Sequence, residues 1–94
     1  MYPDENKIEK IANNDSEVIL IAGKINKTGR VFYWEHKLGE FIKIGDYAIV
    51  ENMNGFDLIE VVGKVITKRK WVNKFSNTKY ENMKKVIQKI EIDI

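Results

Sequence analysis

The chain has 94 residues, 16 of them Lys or Arg and 14 Asp or Glu, with a formal net charge of +2. That length suits one domain, burying roughly 60–65% of the surface its unfolded chain exposes. It has no cysteine, which excludes a disulfide scaffold, a thiolate metal site and a cysteine nucleophile.

The polar start, Met1 to Lys7, lacks the basic-then-apolar pattern of a secretory signal. The longest apolar run, Val18 to Ala22, is far too short to cross a bilayer. A cytoplasmic protein with no membrane partner is expected. Lys, Ile and Asn are abundant; their codons are A/T-rich, pointing to an AT-rich bacterial or phage genome.

In chain order, residues 4–13 are expected to form a short helix capped by Asp4, with Ile8 and Ile11 on one face. A helix this short holds only when docked. Val18 to Ile25 is β-branched and apolar on both parities near its start, which predicts a buried strand. A turn at 26–29 leads to a second strand, Arg30 to Glu35, completing a hairpin. Lys37 to Glu40 is a loop, Gly45-Asp46 a tight turn, and Tyr47 to Glu51 a third strand. Asn54-Gly55 is a hairpin signal. Phe56 to Thr67 is a long fourth strand, and Gly63 inside it marks a bulge or bend.

Residues 68–77 are basic and irregular. Thr78 to Glu81 has the form of a helix capping box. Beyond it two periods compete: Val86, Ile90, Ile92 and Ile94 share a strand face, whereas Tyr80, Met83, Ile87 and Ile90 fall at helical spacing. A helical turn at 78–83 followed by a fifth strand is the preferred reading. One domain, 1–94, results: a short helix (4–13), a β-barrel-like core (18–67), a basic aromatic loop with a short helix (68–83) and a final strand (84–94). The expected class is mainly β, either a small five-stranded SH3-like barrel or a strongly bent antiparallel sheet with a short N-terminal helix.

Ile44-Gly45-Asp46-Tyr47-Ala48-Ile49-Val50, then Gly55, then Glu60 to Val65 resembles the Gly-Asp strand–turn–strand of SH3-like barrels, including the KOW and Tudor types. A longer set, Ile21 to Ile25, Gly29 to Trp34, Ile44 to Glu51 and Gly55 to Val62, is similar to the front half of the polymerase-suppressor domain. The whole chain also resembles an uncharacterised family of small clostridial and phage-type proteins. The resemblance covers roughly residues 18–65. It implies a small β fold and roles linked to nucleic-acid maintenance and RNA processing.

No catalytic constellation is apparent. His36 is the sole histidine, with Glu35 and Glu40 its nearest acids, so a metal site lacks enough ligands. Asp57 and Glu60 fall on opposite strand faces, Ser16 and Ser76 have no base partner, and no phosphate-cradling glycine motif occurs. Neither enzyme activity nor a cofactor is expected.

Two binding features remain. Phe32-Tyr33-Trp34 alternates across a strand, and with His36, Tyr47 and Phe56 the rings Tyr33 and Trp34 could line an aromatic pocket or simply fill the core. The second is the segregation of charge. Residues 1–63 carry 7 basic and 11 acidic side chains, residues 64–89 carry 9 basic and 1 acidic, and residues 90–94 add two acids. Codon bias explains many lysines but not their concentration in one segment. Lys68, Arg69, Lys70, Lys74 and Lys84 could neutralise phosphates, and Trp71 and Tyr80 could stack on unpaired bases. A non-catalytic module for RNA or single-stranded DNA is therefore expected. The alternative is a small phage or mobile-element protein that binds an acidic host protein or sequesters a nucleotide, where a homo-oligomer would enlarge the pocket.

Overall fold

The computed structural model describes residues 17–25 and 29–91. The expected helix at 4–13, most of the first hairpin tip, and Ile92 and Ile94 lie outside the described residues. Five strands are formed: β1 (Glu17–Ile25), β2 (Val31–Glu35), β3 (Tyr47–Asn52), β4 (Gly55–Lys68) and β5 (Val86–Ile90). They make one antiparallel sheet in the order β2-β1-β4-β3-β5.

β4 organises the sheet because its 14 residues serve two partners. Its first half pairs with β3 and most of its length pairs with β1. The ladder with β1 slips between Ala22 and Gly23, where Val62 is the extra residue beside Gly63. This is the bulge that Gly63 foretold. A Cβ on Gly63 would stand 3.3 Å from the Ala22 Cβ, so the missing side chain lets the two strands approach. The β3–β4 hairpin turns at Met53 and Asn54, and Gly55 follows at φ +136, a backbone region that favours glycine. In the turn before β3, the Lys43 N–H donates to Asp46 Oδ2 (2.9 Å). That bond holds the Asp46 carboxyl below its ordinary value; burial opposes the shift, and the Lys89 ammonium, 3.6 Å away, reinforces it.

The sheet is not closed into a barrel, which corrects that alternative. The edge strands β2 and β5 meet at a single parallel bridge between Glu35 and Lys85. β2 ends there and β5 begins there, so the two have no common length over which to pair.

After β4 the chain forms a 3-10 segment, Arg69–Lys74, and a second 3-10 turn, Tyr80–Asn82. The helical turn expected at 78–83 is this single 3-10 turn, but the capping box read at Thr78 does not form. Its cap position is Lys79, which makes no side-chain cap bond, and the Thr78 N–H donates instead to Ser76 Oγ (3.2 Å). Met83 returns to extended backbone and is buried, which ends the turn.

β1 is apolar on both parities because both its faces are covered. Ile21 points into a cluster with Trp34, Ile42, Ala48, Val50, Ile59, Val61 and Val86, enclosed by the curl of the sheet. Val18 and Leu20 point the other way and meet Val72 and Met83 of the basic segment, flanked by Tyr33, Val65 and Tyr80.

Candidate nucleic-acid interface

The geometry of the basic segment follows from its helix type. A 3-10 helix has three residues per turn, so residues i and i+3 eclipse. Arg69, Val72 and Phe75 fall in one column. Val72 is fully buried, Phe75 lies 6.4 Å from the Tyr33 ring, and the Arg69 guanidinium lies 4.6 Å over the Tyr80 ring. Val72 docks the segment on the sheet, while Phe75 stays as exposed as Trp71. Trp71 and Lys74 form a second column, turned to solvent, and half-buried Lys68 precedes it as the extended last residue of β4.

Trp71 is 41% exposed. The ammonium groups of Lys68, Lys70 and Lys74 lie 5.4, 5.5 and 5.6 Å from its ring centroid. A cation near an indole face gains from the ring quadrupole, but the Lys68 and Lys74 cations at one ring repel one another. An anion in their midst relieves that repulsion. No ion pair ties Lys68 or Lys74 to a carboxylate among the described residues. Glu17 is opposite Lys68 in the β1–β4 ladder, at the margin of the cluster.

Beside this column, Arg69, Lys70, Asn73, Lys79, Tyr80 and Glu81 line a shallow cleft of about 270 Å³. The Arg69 Nε is buried and has no hydrogen-bond partner among the described residues. Tyr80 is committed to the protein. Arg69 covers its ring, and its hydroxyl donates to Glu35 Oε2 (3.0 Å). Burial and this hydrogen bond to Glu35 push the Tyr80 hydroxyl above its ordinary value.

The structure thus brings together Lys68, Lys70, Trp71 and Lys74, and sets Arg69 and Tyr80 on the adjoining wall. Lys84 is placed elsewhere, lining a cleft beside β2.

Of the residues considered for an aromatic pocket, Tyr33 and Trp34 border one cleft at the β2 edge, and His36, Tyr47 and Phe56 lie apart from it. Trp34 is interior, and its indole N–H donates to the Glu51 carbonyl (2.9 Å). Tyr33 points to the opposite face, against Phe75. His36 is buried, with Nε2 2.8 Å from the Glu40 carbonyl and Nδ1 without a partner among the described residues. Tyr47 borders a depression with Lys43, Asp46 and Lys89, and Phe56 is exposed beside the β3–β4 turn. Alternation along β2 separates Tyr33 from Trp34, and the sheet curl takes Trp34 inward.

Sequence reasoning missed the role of Glu35. Its buried carboxylate holds Tyr80, its N–H donates to the Lys84 carbonyl (2.9 Å), and so it ties β2 to the segment before β5. A lone charge closing an aromatic strand was the available signal.

Among the described residues there is no cluster of three or more His, Asp or Glu able to hold a metal, and no helix long and apolar enough to cross a membrane. No family model, curated protein or solved structure matches the chain.

Proposed function

We propose that the protein is a non-catalytic module that binds single-stranded nucleic acid, RNA or DNA, through the face of its 3-10 segment. The observation that carries this reading is the exposed Trp71 indole set among the ammonium groups of Lys68, Lys70 and Lys74. A base stacks on an exposed ring without regard to its identity, and the neighbouring ammoniums take the flanking phosphates and release their counterions. Arg69 and Lys79 extend the positive surface along the adjoining cleft. Duplex fits less well, because a ring can stack only on a base whose face is open.

The test is fluorescence anisotropy with labelled oligo(U) and oligo(dT) at low salt. Both should bind the native chain, and the double substitution Lys68→Glu/Lys70→Glu should abolish binding while leaving the fold intact by circular dichroism. Undiminished binding by the folded double variant would refute this interface.

A further inference from the structure

The open seam of the sheet presents a second surface with different chemistry. β2 is an edge strand, paired only with β1 among the described residues. The register tells which of its backbone groups face outward. The His36 N–H donates to the Ile19 carbonyl (2.8 Å). In an antiparallel ladder mutually bonded pairs alternate, so the pairs Ile21–Trp34 and Gly23–Phe32 bond across the ladder. Val31, Tyr33 and Glu35 therefore turn N–H and C=O away from β1. Glu35 confirms the direction, since its N–H reaches the Lys84 carbonyl (2.9 Å). Val31 and Tyr33 face the same way, with no strand beside them among the described residues.

A cleft of about 260 Å³ runs along this edge. Three consecutive residues, Phe32, Tyr33 and Trp34, line it. Successive side chains point to opposite faces of a strand, so only a cleft that wraps the strand edge can touch all three. Asn52, Thr78, Asn82 and Lys84 supply the polar part of the lining. The Thr78 hydroxyl and the Asn52 and Asn82 amides suit a second peptide backbone, and the Lys84 ammonium a carboxylate. Charge at the cleft is positive. Lys84 is its one charged lining residue, and the Arg30 guanidinium sits 5.2 Å over the Phe32 ring.

We infer that the outer edge of β2, from Val31 to Tyr33, is a docking strand for an extended acidic peptide segment of another protein. The segment adds to the sheet by main-chain hydrogen bonds, seats a side chain against the rings of the cleft, and places carboxylates near Arg30 and Lys84. This site is separate from the Trp71 face and stands whether or not that face binds nucleic acid.

The test uses the full-length, isotope-labelled chain and two seven-residue peptides, one alternating Glu and Val, the other Lys and Val. The Glu–Val peptide should shift the Val31 and Tyr33 amides and slow their hydrogen exchange; the Lys–Val peptide should bind more weakly. Val31→Pro removes an outward N–H without removing a bond to β1. It should weaken Glu–Val binding about ten-fold, as expected when a peptide carbonyl loses its donor, and leave oligo(dT) binding unchanged. Lys84→Glu, an exposed change, should reverse the preference between the peptides and serves if the proline variant does not fold. The inference is overturned if neither peptide perturbs β2, or if Val31→Pro and Lys84→Glu leave peptide binding untouched. It is equally overturned if the Val31 and Tyr33 amides of the free chain are already protected. Protection at all concentrations would mean the chain covers its own edge, and protection only at high concentration would mean a second copy does.

Discussion

The two apolar clusters on either side of β1 are built in different ways. The cluster around Ile21, Trp34, Val50, Ile59 and Val61 draws on all five strands and the loop residue Ile42, and it is what the sheet curls around. The cluster around Val18, Leu20, Val72 and Met83 is smaller and joins the sheet to residues with no strand partner. The first sets the fold. The second fixes where the basic segment sits, because Val72 is the buried member of the column opposite Trp71. Removing atoms from the first should therefore unfold the molecule, whereas removing them from the second should disorganise the charged face before it unfolds the sheet.

Trp34→Ala sharpens the contrast most. It empties the largest side chain of the first cluster and strips the Glu51 carbonyl of its indole donor. A loss of about 3–5 kcal/mol is expected, against a total of about 5–15 kcal/mol for a domain. Urea melts read by circular dichroism would check it.

Val72→Ala should cost about 2 kcal/mol. Its effect should be local: amide exchange in Arg69–Lys74 should quicken while β3 and β4 stay protected, and oligonucleotide affinity should fall although every lysine remains. Uniform loss of protection would mean that the two clusters are one cooperative unit.

Tyr80→Phe removes a hydrogen bond and hardly any packing volume. It leaves the buried Glu35 carboxylate without its donor, a loss of about 1–3 kcal/mol. It also has a pH signature. The Tyr80 hydroxyl titrates above its ordinary value of 10.0 in the folded chain, so the protein prefers it protonated. Its contribution is complete below the unfolded value and is lost as pH rises toward the folded one. Stability of the native chain should therefore decline more steeply above about pH 10 than that of Tyr80→Phe. Parallel alkaline melts of the two proteins would show it.

The strands were legible because each rests on local signals. β-branched runs, Gly45-Asp46, Asn54-Gly55 and the interrupting Gly63 marked the strands and bends, and β1 betrayed its double burial by being apolar on both parities. Closure was not legible. Whether β2 and β5 overlap depends on where β5 starts relative to the end of β2, a long-range register that no local pattern encodes. Thr78 to Glu81 gave the turn but not its cap, since a capping box forms only if the chain continues as a helix, and Met83 is needed under the sheet. In the candidate site, the segregation of charge identified the segment from composition alone. The column of Trp71 and Lys74 carries a three-residue spacing, readable only once the segment is known to be 3-10 rather than loop or α-helix. Tyr80 and Lys84 sit in the same basic stretch but point elsewhere, because ring burial and the Glu35 bond claim the first and the β2 seam the second.

The central claim concerns the Trp71 face, and salt dependence tests it most directly. Affinity for oligo(U) or oligo(dT), measured by anisotropy from about 50 to 200 mM salt, should fall with a log–log slope of about −2 if three lysines each neutralise one phosphate of a single strand. Trp71→Ala should lower affinity by about 1–3 kcal/mol at every salt concentration without changing that slope. A slope near zero, or Trp71→Ala binding as tightly as the native chain, would contradict the account.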